Sequence, residues 1–266
     1  MSLDDIVSKI TDPYERKART YPALLVLLPV FTLVTAIYGP KATIVTAIAT
    51  TAVSCGGLYW MAETCRKLGH DLEPRLFKEW GGKPTTQLLR HRDNCLEKPT
   101  KDRYHAFLGL KMNLPFPTPE EESKDPTGAD EIYQSGVRWL LNHTRSNGDK
   151  NFDLLLKENI AYGFRRNLLG VKWFGILVAV ISTIWVLVCG GVLSVSARYG
   201  VSAAALLHLT PNALLSLTVS FGMAAFWILS ATKTSARFAA FEYAEMLLRA
   251  CDILEGAKGN AVHTSA

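Results

Sequence analysis

The sequence predicts an all-α membrane protein: four transmembrane helices, with a helical cytosolic domain inserted between the two helix pairs and a long helix extending past the fourth span. Three observations predict it. Tyr21–Tyr38, Ala42–Ala62, Trp173–Val195 and Asn212–Ala231 contain no Asp, Glu, Lys, Arg or His, and each is long enough to cross a bilayer as a helix of roughly 20 residues. The four stretches come as two close pairs around a polar block, an arrangement that a soluble core does not need. Within that block no segment sustains a two-residue alternation with β-branched enrichment, so helices are expected there as well.

The first 20 residues are charged and run directly into a full-length apolar stretch without a small-residue cleavage site, so the first span is expected to stay as an anchor. Gly39-Pro40-Lys41 turns the first hairpin. The organisation that follows is a cytosolic N-terminal segment at 1–20, a transmembrane hairpin at 21–62, a cytosolic ligand-binding domain at 63–172, a second transmembrane pair at 173–231, a cytosolic helix at 232–256 and a disordered tail at 257–266. Helices are expected over Leu72–Trp80, Thr85–Asn94, Lys101–Lys111, Pro119–Ser123, Asp130–Arg145 and Phe152–Leu169. Thr118-Pro119-Glu120-Glu121 has the form of a capping box with proline at the first helical position, and Asn147-Gly148 reads as a helix stop. In the last helix, Ala236, Ala240, Tyr243, Leu247, Ala250 and Leu254 alternate spacings of four and three. That seam wants a partner helix, from a second protomer or from the same subunit, and Gly256 is the expected stop.

The 266 residues are 48% hydrophobic and 20% charged, with a net charge of +5, which suits neither an all-membrane transporter nor a soluble domain. Positive charge gathers at the span ends. Arg16, Lys17 and Arg19 precede the first span, Arg66, Lys67, Arg75 and Lys78 follow the second, Arg165, Arg166 and Lys172 precede the third, and Lys233 and Arg237 follow the fourth. Lys41 and Arg198 stand alone in the connections. The positive-inside rule then puts both termini and the Glu63–Lys172 block in the cytoplasm. The five cysteines show no CxxC and no Cys/His zinc spacing, so no metal and no cofactor is expected.

The most distinctive polar stretch is Trp80-Gly81-Gly82-Lys83-Pro84-Thr85-Thr86-Gln87-Leu88-Leu89-Arg90-His91-Arg92-Asp93. Glycines followed by a lysine, and a proline-initiated helix with threonine beside it, aim free backbone N–H groups and a cation at one point, which suits a phosphate. A looser copy, Lys98-Pro99-Thr100-Lys101, ends in Arg103, Tyr104 and His105. Such cations interleaved with rings fit an extended polyanion whose bases stack; the plainer alternative is two proline-initiated helices with solvated charges. The candidate oligonucleotide-binding residues are therefore Trp80, Lys83, Thr85, Thr86, Arg90, His91, Arg92, Lys98, Lys101, Arg103, Tyr104 and His105. This is not a P-loop, because Phe77 stands where the first glycine belongs and Pro84 follows the lysine. Nor is His91-Arg92-Asp93 a kinase catalytic loop, since Lys98 occupies the downstream Asn position. His91 with Asp93 is the nearest approach to a catalytic pair, and residues i and i+2 of a helix do not face one another, so no enzymatic activity is expected.

In the second span Thr43, Thr46, Thr50 and Ser54 recur at helical spacing. The stripe is either a polar pore wall or a packing seam at which small residues let helices approach. The spans lack Asp, Glu, Lys, Arg and His, which argues against a proton- or ion-coupled transporter and is compatible with a pore built by several protomers. Before the third span, Tyr162, Arg165 and Arg166 serve as juxtamembrane anchors or couple ligand binding to the span.

Taken together, Trp80–Asp93, Thr100–His105, Asn159–Gly170 and the two-plus-two span arrangement resemble the four-span effectors of Hailong-type bacterial anti-phage systems. The resemblance implies a homotetrameric channel in the bacterial inner membrane. It also implies that short single-stranded DNA oligomers, made by a partner nucleotidyltransferase, bind the cytosolic domains and hold the pore shut, and that their loss on infection depolarises the cell. A membrane-anchored scaffold or signalling protein without conductance is the alternative. For the topology the expected outcome is definite: cysteines placed at either terminus or at Lys124 resist a membrane-impermeant maleimide added outside intact cells, and react once the membrane is opened.

Overall fold

The computed structural model describes residues 13–38, 44–145, 150–194 and 200–263. A π-helical turn, Glu15–Thr20, leads into α1 (Tyr21–Tyr38). Next come α2 (Ile44–Trp80), α3 (Pro84–Leu89), α4 (Lys98–Met112), α5 (Pro119–Lys124), α6 (Pro126–His143), a 3₁₀ turn at Lys150–Phe152, α7 (Asp153–Gly170) and α8 (Lys172–Cys189). Two short antiparallel strands, β1 (Leu193–Ser194) and β2 (Gly200–Val201), precede α9 (Ala203–Leu206), α10 (Pro211–Ser230) and α11 (Lys233–His263). Among the described residues the fold is all-α apart from that minimal ladder.

Proline opens α3, α5, α6 and α10 at their first turn, where its missing N–H costs nothing and its fixed φ is already helical. The capping box forms as the sequence spells it: the Glu121 N–H donates to Thr118 Oγ1 at 3.3 Å, and the Thr118 N–H donates to Glu121 Oε2 at 2.8 Å. The chain divides into two compact units, Met1–Leu72 with Gly163–Ala236, and Glu73–Tyr162 with Arg237–Ala266. Each division falls inside a helix, in α2, α7 and α11.

Among the described residues of the first unit, three stretches are long and apolar enough to cross a membrane: Glu15–Ile37, Lys172–Cys189 and Pro211–Ser230. By length and composition this is a membrane protein. The expected second span, Ala42–Ala62, begins outside the described residues; from Ile44 onward it is helical, inside α2. Ala23, Val26, Met61, Cys65, Leu168, Val171, Ala179, Met223, Trp227 and Ala231 form the core of the unit, and large apolar residues such as Trp173, Leu177, Ile181, Trp185, Phe221 and Leu229 face outward. Three span hydroxyls bond within their own helices: Thr35 donates to the Phe31 carbonyl, Thr183 to Ala179 and Thr218 to Leu214. Thr32 Oγ1 donates to the Pro29 carbonyl at 3.0 Å and lies 3.4 Å from Ser216 Oγ. The third span is shorter than expected. It ends at Cys189, because the chain turns through Gly190 and Gly191, the latter at φ +71°, a conformation that favours glycine.

Close backbone approach holds α2 and α7 together in this unit. A Cβ built on Gly170 would lie 2.6 Å from the Gly69 backbone nitrogen, and one on Gly69 would lie 2.9 Å from Asn167 Cα. Asn167 is fully buried at the crossing, where Nδ2 donates to the Ala18 carbonyl at 2.8 Å and Oδ1 accepts from Arg166. Gly175 likewise makes room for the Trp227 indole.

In the second unit, Leu88, Leu89, Tyr104, Phe107, Leu108, Tyr133, Leu140 and Phe152 pack with Ala244, Leu247, Leu248 and Cys251 of α11. The seam of the last helix thus finds its partners within the chain: Leu247 and Ala250 are core members, and Tyr243 and Leu254 pack against them. Two expectations for this helix are corrected. Gly256 does not stop α11, which continues to His263 through part of the supposed tail; an open position without steric conflict leaves only the propensity cost of about 1 kcal/mol for glycine in a helix. Asn147-Gly148 and the Gly39-Pro40-Lys41 turn lie outside the described residues.

The glycine crossing is testable by matched substitutions. Gly170→Ala forces backbone apart and should destabilise the purified protein in detergent by roughly 1–3 kcal/mol, as overpacking does. Gly222→Ala, in α10 with nothing within 4 Å of the added Cβ, should leave the melting temperature unchanged or slightly raised.

Candidate functional site

The Trp80–Asp93 stretch becomes a helix end, a two-glycine turn, a short helix and a second turn. α2 ends at Trp80, and Gly81 and Gly82 carry φ of +87° and +138°, which only glycine adopts without strain. The Gln87 amide closes this turn by donating to the Trp80 and Gly82 carbonyls at 2.9 and 2.7 Å. The expected helix Thr85–Asn94 stops early, at Leu89, with Arg90 extended at φ −66°, ψ 138°. The cause lies elsewhere in the chain. The His91 and Arg92 N–H groups donate to the Glu122 carboxylate at 2.7 and 3.2 Å, and Lys101 Nζ donates to the Arg90 carbonyl and, at 2.6 Å, to that of Asp93.

Several candidate ligand residues are therefore internal. Arg90 makes a two-pronged contact with Asp130, Nε to Oδ1 at 2.8 Å and Nη2 to Oδ2 at 2.6 Å, and also reaches the Gly81 carbonyl and Asp93. The Asp130 hydrogen bond chiefly raises its pKa. Lys101 is buried, and desolvation lowers its pKa. His105 is buried with Nε2 2.7 Å from the Leu89 carbonyl, its ring stacked on Tyr133 and edge-on to His91; burial pushes its pKa down to about 4. Thr86 is buried and its hydroxyl has no partner among the described residues. Tyr104 is buried, and desolvation pushes its phenol up to about 12. These five residues hold the fold and do not face solvent as a binding strip.

The remaining members are scattered. Arg92 is exposed, bridging Glu122 at 2.8 Å and Asp130 at 2.9 Å. His91 Nε2 sits 2.9 Å from the Pro117 carbonyl and Asp93 takes Arg90, so the two do not pair. Arg103 pairs with Asp252 at 2.9 Å, and Lys98 is exposed at the start of α4. Trp80 is largely buried with its ring edge-on to Phe77. Of the juxtamembrane residues, Tyr162 donates to Glu73 Oε1 at 2.7 Å, Arg165 donates to Ser235 Oγ at 2.8 Å, and Arg166 donates to Asn167. Of the hydroxyl stripe, Thr43 lies outside the described residues, as do the side chains of Thr46 and Thr50; Ser54 is half-buried.

Lys83 and Thr85 meet a different set of residues. They line a groove of about 250 Å³ with Phe77, Gln134, Arg138, Tyr162 and Tyr243. Tyr162 and Tyr243 are parallel, with centroids 6.1 Å apart. Lys83 Nζ donates to Gln134 Oε1 at 3.0 Å, and the exposed Arg138 makes no ion pair among the described residues. Flat aromatic walls with cations at the rim can take a ring-bearing anion. Arg138 and Tyr243 escaped the sequence reading because neither belongs to a motif; Tyr243 registered only as a seam residue. Comparison with known proteins finds no family model, no curated protein and no solved structure that matches this chain.

Elsewhere in the same unit, Glu122 gathers donors from two separate segments, His91–Arg92 and Tyr133. It is 2% exposed and accepts from the Tyr133 hydroxyl at 2.7 Å as well as from His91 and Arg92. Desolvation pulls its pKa upward, but these donors together outweigh it and hold the carboxyl at about 2. Its usual value is 4.5, and that of His105 is 6.5. Both groups thus bind fewer protons folded than unfolded, so their support is complete above pH 6.5 and lost on acidification. The melting temperature should fall in two steps, from pH 6.5 to about 4 through His105 and from pH 4.5 to about 2 through Glu122. Tyr133→Phe should cost roughly 1.5–3 kcal/mol, the worth of a hydrogen bond to a charged group, and should narrow the second step from its acid end.

Proposed function

We propose that the chain is an oligomeric membrane channel whose helical polar unit, Glu73–Tyr162 with Arg237–Ala266, reads a short oligonucleotide. The groove beside Lys83 carries this reading. A nucleotide offers flat bases and phosphates, and Phe77, Tyr162 and Tyr243 supply ring faces while Lys83 and Arg138 supply cations. The site is thus proposed at the groove, with Lys83 and Thr85 retained from the sequence reading and Arg138 and Tyr243 added; the exposed Arg92, Lys98 and Arg103 would guide the strand electrostatically.

On this reading the apolar helices make a four-span bundle with Ala42–Ala62 as the fourth, both termini lie in the cytosol, and the Thr43, Thr46, Thr50 and Ser54 stripe lines a path shared by several copies. The resemblance to Hailong-type effectors gives the direction of gating: bound single-stranded DNA from a partner nucleotidyltransferase keeps a homotetramer closed, and its loss opens the bacterial inner membrane during infection.

The test combines binding and conductance in purified full-length protein. In liposomes, single-stranded DNA oligomers should suppress an ion flux that appears when a nuclease removes them. Lys83→Gln with Arg138→Gln should weaken binding and reduce the slope of log affinity against log salt by about 0.7 for each phosphate that is no longer neutralised. Thr50→Leu should block the flux while leaving binding and assembly intact. Unchanged affinity and slope in the double variant would sink the groove as the site; binding without any flux would favour the scaffold reading over the channel.

A further inference from the structure

We propose that the first unit carries a second anion site, for the phosphate of an anionic lipid headgroup, in a recess at the boundary between its apolar helices and water. The recess encloses about 450 Å³ and draws Arg19 from the π-helical turn, Glu63, Arg66, Lys67 and Asp71 from α2, and Arg166 from α7. Its volume lies within the ~300–1,000 Å³ of small-molecule sites.

Placement on the chain supplies the first argument. Arg19 immediately precedes α1, Arg66 and Lys67 follow the apolar run that ends at Ala62, and Arg166 precedes α8. Each therefore stands within about two helical turns of the end of an apolar stretch, at the level where headgroups lie. Basic pockets of this kind between membrane helices bind phosphate headgroups.

Charge balance is the second. Four cationic side chains line the recess against the two carboxylates of Glu63 and Asp71. Arg19 is paired with Glu15, and the Arg66–Glu63 contact is long, at 3.5 Å. Lys67 is exposed and makes no ion pair among the described residues. A bound phosphate would shorten what is now a loose arrangement, because charge-assisted hydrogen bonds settle at about 2.7–2.9 Å.

The third argument selects a lipid over a free phosphate. Next to the recess in sequence, Tyr21, Leu24 and Leu28 of α1 and Tyr59 and Trp60 of α2 are exposed. Tyr21, Leu24 and Leu28 follow helical spacing along one face, and Tyr and Trp at such a level favour the membrane interface. A soluble anion has no use for that apolar ledge; acyl chains below a headgroup do.

The site is independent of the oligonucleotide groove, whose lining residues are all different. Native mass spectrometry of the full-length protein released from detergent tests it, with phosphatidylglycerol, phosphatidylcholine or inorganic phosphate added. The unmodified protein should retain phosphatidylglycerol over phosphatidylcholine, and millimolar inorganic phosphate should not displace it. Arg66→Gln with Lys67→Gln should weaken retention about twenty-five-fold, taking a factor of about five for each cation at a membrane surface, whereas Arg75→Gln with Lys78→Gln, outside the recess on the same helix, should not. Equal retention of the two lipids by the unmodified protein would overturn the proposal whatever the variants do. Displacement by inorganic phosphate would overturn the lipid as occupant, and equal weakening in both double variants would overturn the recess as its place.

Discussion

Burying the Glu122 carboxylate obliges the chain around it to supply donors, and most of the polar unit's shape follows. A carboxylate withdrawn from water costs several kcal/mol unless hydrogen bonds replace its hydration. The Tyr133 hydroxyl, the His91 and Arg92 amides and the Arg92 guanidinium do so. Two of those donors are backbone groups that a longer α3 would have consumed, so the helix ends at Leu89 and the chain turns toward α5. The carbonyls exposed by the same turn are taken by Lys101, which therefore gives up solvent as well. One buried charge thus fixes a helix length, a turn and the docking of three elements.

This arrangement explains what could be read in the sequence. Helix positions were legible in the polar block because their signals are local: proline at the first turn, the Thr118–Glu121 capping box, and apolar spacing. The apolar runs were legible for the same reason, although the third ends early where Gly190 and Gly191 interrupt the helix. The fate of the cations was not legible. Arg90 and Arg92 find Asp130 and Glu122 on α6 and α5, and Arg103 finds Asp252 on α11. A local cluster of positive charge says nothing about acids so distant in the chain, so cations that pair within the fold could not be told from those that stay uncommitted. Tyr243 and Arg138 were hidden by the converse problem, since the groove they line forms where α2, the start of α3, α6, α7 and α11 meet.

The unit that bears the spans solves a different problem. Lipid offers little hydrophobic drive for one helix to join another, so close approach and local hydrogen bonding carry the packing. Gly69 and Gly170 let backbones touch, Gly175 admits the Trp227 indole, and Asn167 commits its amide to the Ala18 carbonyl. Not every polar atom is matched: Ser220 Oγ and Trp227 Nε1 are buried without a partner among the described residues. Both belong to α10, the helix that also brings Ser216 beside Thr32. An unpaired hydroxyl in an apolar bundle costs free energy, so α10 is less completely satisfied than α8, where Thr183 bonds to its own helix.

Pairing also governs where ligands can act. A guanidinium held by a carboxylate in a low-dielectric setting does not exchange it readily for a phosphate, because leaving the carboxylate unpaired costs more than a new partner contributes. Arg90 is so committed, and Arg92 largely so, despite its exposure. Lys83 is bound only to a neutral amide, and Arg138 and Lys67 have no ion pair among the described residues. These less committed cations stand at the edges of recesses, Lys83 and Arg138 beside aromatic rings and Lys67 near the end of an apolar helix. Recognition is therefore to be sought where charge remains uncommitted after folding, which is a property of partners across the fold and not of local charge density.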